Sequence, residues 1–102
     1  MEKLYKLAQG YNKRFPEGEE PFKMATFLLE ECGEVASEIS LWEDTGIKRQ
    51  KHGEPQKEDL AAEIKQALVK LIQIAAYYGV EKELEESIDD SLDRMKKEGL
   101  ID

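Results

Sequence analysis

Three glutamates stand at helical spacing within one short stretch of the sequence. Glu31, Glu34 and Glu38 are three and four residues apart, so on an α-helix they share one flank of the surface. Like charges at this spacing repel one another by roughly a few tenths of a kcal/mol per pair. A solvated face accounts for single acids, but it gives no reason to place three of them beside an apolar stripe. Carboxylate oxygens suit Mg²⁺, so the pattern predicts half of a magnesium site.

A second acidic stretch supplies the other half of this predicted site. Glu63 lies on one flank of a later helical segment, and an antiparallel hairpin would bring it opposite Glu31 and Glu34. Helical bundles build metal sites in this way, from carboxylates on facing helices. Glu30 points almost directly away from the apolar stripe and is expected in solvent. The flank of Glu63 also carries Asp59, Gln66 and Lys70.

Apolar residues recurring at steps of three and four predict four helices and no strands. The expected ranges are Glu2–Arg14, Pro21–Asp44, Lys57–Tyr78 and Val80–Glu98. Residues 46–56 contain two glycines, a proline and several basic residues, which is typical of a loop. The third helix has an apolar face wider than one neighbour needs. The expected apolar stripes are Leu28, Cys32, Val35, Ile39 and Trp42 on the second helix and Leu84, Ile88, Leu92 and Met95 on the fourth.

Length and composition limit the class of protein. The 102 residues, 40% of them hydrophobic, allow one all-α domain (residues 1–102) with a small core, so helices from a partner chain are expected. A net charge of −8 argues against binding to a nucleic acid polymer, which requires a basic surface. The single cysteine, Cys32, excludes an intrachain disulfide and is expected to be a buried thiol. No signal peptide or membrane span is recognisable, so a cytoplasmic location is expected.

The two acidic stretches resemble the MazG-like all-α nucleoside triphosphate pyrophosphohydrolases. The matching segments are Leu28-Leu-Glu-Glu-Cys-Gly-Glu-Val-Ala36 and Asp59-Leu-Ala-Ala-Glu-Ile-Lys-Gln-Ala-Leu68. The family pairs an E-x-x-E motif on one helix with an E-x-x-D motif on the next. Glu31-x-x-Glu34 corresponds to the first motif, and the second begins at Glu63. The similarity covers about residues 15 to 79 and, more loosely, the whole chain.

This resemblance implies an oligomeric four-helix bundle that hydrolyses nucleoside triphosphates between the α and β phosphorus atoms, in a house-cleaning role. The products are a monophosphate and pyrophosphate, and the cofactor is Mg²⁺, with Mn²⁺ as a substitute. Glu30 and Glu38 are implied as helpers that act on water or on a second cation. Family members are homodimers or homotetramers. The implied metal ligands are Glu31, Glu34, Glu63 and Gln66.

Gln66 departs from the family pattern, because the E-x-x-D motif expects an aspartate at this position. A glutamine can coordinate through its carbonyl oxygen, but it carries no charge and cannot act as a base. Lys70 lies one turn beyond and adds a positive charge. Either the site works with weaker metal binding, or Lys70 pairs with the acids and the chain is a degenerate nucleotide-binding or oligomerisation module. A third alternative is the related phosphoribosyl-ATP pyrophosphohydrolase of histidine synthesis.

Further residues are candidates for substrate binding. Lys48, Arg49 and Lys51 could close over a triphosphate or form a solvated basic loop. Trp42 could stack on a base, with a core or interface role as the alternative. Asn12 could hydrogen-bond a base or sugar. Arg94 is a candidate phosphate ligand in a neighbouring subunit, with an ion pair to Asp90 or Glu98 as the alternative.

Overall fold

The computed structural model describes residues 1–43 and 53–102, and all regular structure within these ranges is helical. The all-α prediction is therefore confirmed. The helices are α1 (Glu2–Arg14), α2 (Pro21–Trp42), α3 (Lys57–Tyr78) and α4 (Glu81–Lys97), and a short 3-10 turn (Pro16–Gly18) follows α1. The ranges of α1 and α3 are as predicted, and α4 is one residue shorter at each end. The predicted end of α2 at Asp44 and most of the predicted loop, residues 46–52, lie outside the described residues.

Local signals account for where the helices begin and end. Pro21 opens α2, where its missing N–H costs nothing, and the Glu20 carboxylate accepts hydrogen bonds from the Phe22 and Lys23 amides. At the end of α3, Gly79 adopts a left-handed φ of 67°. This conformation lets the Val80 amide donate to the Ala75 carbonyl, closing a Schellman cap that favours glycine.

Helix α3 lies between α1 and α2 and is antiparallel to both. Lys70 of α3 lies against Phe27 of α2. Glu63, which precedes Lys70 on α3, is affected by the charge of Glu34, which follows Phe27 on α2, so the two helices run in opposite directions. On the other side, the Gln73 amide donates to Asn12 of α1 at 2.9 Å. The side chains buried within the described residues all come from these three helices: Ala8, Met24, Leu41, Val69, Ile72 and Ala75.

The predicted orientation of α2 is largely wrong. Cys32 is exposed rather than buried, Ile39 is 53% exposed, and Trp42 is exposed as well, whereas Leu28 and Val35 are half-buried. The reason is that α2 carries apolar residues on two faces, and only one of them packs against α3. The inward face carries Met24 and Phe27 together with the half-buried acids Glu31 and Glu38.

Helix α4 contributes no buried residue to the described core. Its predicted apolar stripe is half-buried only at Leu84, and every residue from Glu86 to Asp102 is exposed, so Ile88, Leu92 and Met95 do not contribute to the described core. On α3, by contrast, the prediction of an apolar face wider than one neighbour needs is confirmed, because Ile64, Leu68 and Leu71 remain exposed. None of the helices in the described ranges has the length and hydropathy needed to cross a membrane.

Candidate acidic site and neighbouring pocket

The facing flanks of α2 and α3 bring five carboxylates together: Glu31, Glu34, Glu38, Asp59 and Glu63. Their proximity is expressed in the pKa of Glu63, which is raised above its ordinary value of 4.5. Partial burial is the largest cause, followed by the negative charges of the other four acids. Glu34 contributes most among those four, then Glu31, Glu38 and Asp59. Glu63, which the sequence predicted on the second helix of the site, therefore lies close enough to Glu31, Glu34 and Glu38 for their charges to affect it.

No basic side chain in the described ranges balances these acids. The ion pairs there join Lys6 to Glu2 and Lys82 to Glu86, on α1 and α4. One carboxylate oxygen of Glu38 is shielded from solvent and has no hydrogen-bond partner among the described residues. Shielding a charged oxygen without a partner is unfavourable. A divalent cation would relieve the repulsion among the acids, so the donor set fits Mg²⁺ chemically.

The side chains do not form a finished ligand set. Within residues 1–43 and 53–102, no three His, Cys, Asp or Glu groups are arranged to hold a metal ion. Gln66 is half-buried on α3, three residues beyond Glu63 and therefore on the same flank. Glu30 is exposed and is not among the acids that shift the pKa of Glu63. The cluster is therefore made by Glu31, Glu34, Glu38, Asp59 and Glu63, without Glu30.

Lys70 is held by aromatic rings. Its ammonium nitrogen lies 5.5 Å from the ring centre of Phe27 and 5.7 Å from that of Tyr11. Both distances are typical of cation–π contacts, which attract a cation to the ring face. Within the part of the chain that the structure describes, Lys70 forms no ion pair with the acids. The ammonium group of Lys70, whose charge was expected to oppose metal binding, therefore points towards α1 and the start of α2.

A pocket of about 560 Å³ opens beside the acidic cluster, and Glu31 lines its edge. This volume falls in the range of small-molecule sites. Its chemistry is mixed, because aromatic rings and a methionine provide apolar surface while two lysines, an amide and the carboxylates of Glu17 and Glu31 provide polar contacts. The lining side chains that matter here are Tyr11, Phe15, Met24, Phe27, Lys23, Lys70 and Gln73. Sequence reasoning missed this pocket, because its residues come from separate segments and share no local motif.

The structure does not bring the other described substrate-ligand candidates, Asn12, Trp42 and Arg94, together in the pocket. Lys48, Arg49 and Lys51 lie outside the described residues. Asn12 is half-buried, accepts the amide hydrogen bond from Gln73 and is not among the residues that line this pocket. Trp42 is exposed at the end of α2, and Arg94 is exposed on α4, where it forms no ion pair with Asp90 or Glu98.

Comparisons with protein-family models, with curated proteins and with solved structures gave no match to this chain.

Proposed function

We propose that this protein is a Mg²⁺-dependent nucleoside triphosphate pyrophosphohydrolase of the MazG-like type. It would convert a ribo- or deoxyribonucleoside triphosphate into the monophosphate and pyrophosphate, as a house-cleaning activity in the cytoplasm. The observation that carries the proposal is the group of carboxylates facing one another across α2 and α3, which no basic side chain in residues 1–43 and 53–102 balances with an ion pair. The proposed substrate is a free nucleotide and not a nucleic acid polymer, and the proposed assembly is a homodimer or homotetramer.

The metal ligands in this proposal are Glu31, Glu34 and Glu63, with the Gln66 carbonyl oxygen as a neutral fourth ligand. Side chains at these helix positions share two facing flanks, and the proposal requires rotamer changes that draw their oxygens together. Mg²⁺, or Mn²⁺ in its place, would supply positive charge against the triphosphate. The replacement of Asp by Gln66 leaves one less negative charge, and we expect weaker metal affinity for that reason.

The pocket beside Glu31 is the proposed place for the nucleoside. Tyr11, Phe15 and Phe27 offer ring faces against which a base can stack. Lys23 and Lys70 offer positive charge for the phosphates, which would extend from the pocket towards Glu31. Lys70 contacts two aromatic rings and forms no ion pair with the acids among the described residues, so its charge remains available to an anion.

The proposed reaction is an attack of water on the α-phosphorus. The new bond joins the water oxygen to that phosphorus, the bond to the oxygen bridging the α and β phosphorus atoms breaks, and pyrophosphate leaves with that oxygen. The water must lose a proton, and Glu38 is the proposed acceptor, because it belongs to the carboxylate cluster and is not one of the proposed metal ligands. Glu30 is exposed outside the cluster and has no role in the reaction as proposed here.

The test is pyrophosphate release from a panel of ribo- and deoxyribonucleoside triphosphates, with Mg²⁺ or Mn²⁺. We expect turnover of at least one nucleotide, loss of turnover in Glu34→Gln, and normal turnover in the matched control Glu30→Gln. Gln66→Asp should increase activity, because it restores a charged ligand. If the wild type and Gln66→Asp both leave every nucleotide intact, the hydrolase proposal is wrong. Including phosphoribosyl-ATP in the panel tests the histidine-synthesis alternative.

A second candidate function is a nucleotide-binding or oligomerisation module without catalysis. Gln66 in place of the acid and the lack of a finished ligand set in the described residues favour it. It predicts that nucleotide binds without turnover and that Mg²⁺ leaves the melting temperature unchanged. Calorimetric titration with a non-hydrolysable triphosphate, with and without Mg²⁺, separates the two functions.

A further inference from the structure

One side chain of the pocket is an amide whose orientation is held by a residue outside the pocket. Gln73 lines the pocket, and its amide nitrogen donates a hydrogen bond to the side-chain oxygen of Asn12 at 2.9 Å. Asn12 itself does not line the pocket. A glutamine amide has a donor at one end and an acceptor at the other, and the two change places when the amide flips. The contact with Asn12 therefore determines which end faces a ligand.

The carbonyl oxygen is the end of the Gln73 amide that is left for a ligand. Gln73 is half-buried, and this oxygen accepts no hydrogen bond from a residue in the described ranges. The amide nitrogen keeps a second hydrogen, but the nitrogen is turned towards Asn12 on α1. Among the described residues that line the pocket, only Gln73 and Tyr11 carry an uncharged polar group. In small-molecule sites, a few fixed polar groups of this kind select one ligand over another.

Gln73 lies at the end of the pocket that is away from the acidic cluster. Steps of three and four residues place Glu63, Gln66, Lys70 and Gln73 on one flank of α3, within ~80° of one another. At ~1.5 Å per residue, Lys70 lies ~10 Å along the helix from Glu63, and Gln73 lies ~15 Å from it. The order along α3 is therefore acid, ammonium group and amide. With the triphosphate at the acids and Lys70, the base of the nucleotide is the part that reaches Gln73.

We propose that Gln73 makes this pocket select bases that carry an exocyclic amino group over their oxo counterparts, and that Asn12 is the residue that positions it. The inference rests on the proposed nucleotide site. CTP and ATP present an amino group, which is a donor, where UTP and ITP present a carbonyl oxygen. The Gln73 oxygen accepts a hydrogen bond from the amino group, whereas against a carbonyl oxygen it is repelled and left without a partner. The candidate contact with the base thereby moves from Asn12 to Gln73.

The two members of each nucleotide pair differ only at this edge of the base. The oxo base also gains a ring N–H next to its carbonyl oxygen. This N–H is set back in the ring, so the Gln73 oxygen reaches it only by approaching the carbonyl oxygen, which repels it. The sugar and the triphosphate are the same within a pair. A difference in affinity within a pair therefore reports on recognition of the base.

The experiment is calorimetric titration with the α,β-methylene analogues of CTP and UTP in the presence of Mg²⁺, with the ATP and ITP analogues as a second pair. We expect the wild type to bind the amino member roughly tenfold or more tightly, because one hydrogen bond to a half-buried group provides about that factor. Gln73→Leu should bind both members of a pair equally. Gln73→Glu keeps acceptor oxygens at this position and should retain the preference.

Asn12 has a readout that a purely structural role would not change, namely the ratio of the two affinities. Asn12→Leu frees the Gln73 amide to flip, so the ratio should fall close to one while the CTP analogue still binds. Asn12→Asp keeps an acceptor for the Gln73 nitrogen and should preserve the ratio. Glu17→Gln is the control for another acceptor that lines the pocket, and the ratio should persist in it. Circular dichroism establishes that each variant remains helical.

Several results would overturn the proposal. Equal binding of the two members by the wild type would do so, and so would the absence of binding by any analogue. Tighter binding of the oxo member would mean that the amide nitrogen faces the base. A preference that persists in Gln73→Leu, or that is lost in Glu17→Gln, would assign the recognition to another residue.

The outcome is separable from that of the proposed hydrolase, because binding of these analogues requires no cleavage. A wild type that prefers the CTP analogue but leaves CTP intact would support base selection and contradict hydrolysis. A wild type that hydrolyses CTP and UTP but binds their analogues equally would contradict base selection alone.

Discussion

Replacing Glu63 by glutamine tests whether the acids repel one another in the folded protein. Glu63→Gln keeps the shape of the side chain and removes its charge. The raised pKa of Glu63 shows that its ionised form is disfavoured, first by partial burial and then by the four neighbouring acids. We therefore expect Glu63→Gln to be more stable than the wild type at neutral pH in the absence of divalent cations.

The size of this gain in stability is set by the four acids that surround Glu63. A like-charge pair on neighbouring helical positions costs roughly 0.2–0.5 kcal/mol, and the same cost taken for each of the four acids acting on Glu63 gives about 1–2 kcal/mol together. For a chain of this length, 1 kcal/mol corresponds to a melting temperature about 4–8 °C higher. The matched control is Glu30→Gln, which removes an exposed charge outside the cluster and should leave the melting temperature unchanged.

The stability difference between Glu63→Gln and the wild type should increase as the pH rises. A carboxyl group whose folded-state pKa is raised binds its proton more tightly in the folded protein. The penalty from ionised Glu63 is therefore absent below its ordinary value of 4.5 and fully present above the raised pKa. The wild type should lose stability relative to Glu63→Gln as the pH rises through this window, and the two proteins should have the same melting temperature below it.

Thermal unfolding followed by circular dichroism, at neutral pH and below pH 4.5, measures these effects. A Glu63→Gln protein that melts at or below the wild-type temperature at neutral pH would refute the reasoning. So would a gain that persists unchanged in acid. Adding Mg²⁺ at tenfold its dissociation constant should stabilise the wild type by about 1.4 kcal/mol. Glu63→Gln should gain less, because it has lost a ligand.

Three further substitutions test individual contacts. Glu20→Ala removes the cap of α2 and should cost about 1 kcal/mol in urea unfolding, and an unchanged midpoint would mean that the two amides find other partners. Gly79→Ala forces an alanine into a left-handed conformation and should cost about 1–2 kcal/mol, with Gly33→Ala as a control inside a helix that should not destabilise. Lys70→Met should leave the fold intact but weaken calorimetric binding of a non-hydrolysable triphosphate about tenfold, whereas equal binding would remove Lys70 from the site.

Local features of the sequence were sufficient to predict the helices. Gly79 marks the end of α3 and Pro21 the beginning of α2, because backbone conformation at these positions depends on the residue itself. The shared flank of Glu31, Glu34 and Glu38 was predictable for the same reason, since the spacing along a helix determines it. These predictions required no knowledge of which helix packs against which.

The rotation of α2 and the environment of Lys70 depended on packing between helices. Helix α2 is apolar around Met24 and again around Leu29, and periodicity alone does not say which of these faces meets α3. Lys70 lies over Tyr11 and Phe27, residues that are distant in sequence and converge only when three helices are assembled. The sequence shows that Lys70 shares a flank with the acids, but only the assembled fold shows that aromatic rings hold it.

The exposed second half of α4 has a consequence for how the chain opens in solution. Residues 86–97 have little tertiary packing to hold them, and their local stability comes from helical hydrogen bonds and the cap at Gly99. Their amide protons should therefore exchange with solvent through local fraying. The amides of Val69 and Ile72 lie in the core and should exchange only when the whole domain unfolds. A hydrogen-exchange experiment should accordingly report two opening free energies along this one chain, a low one for α4 and the global one for α3.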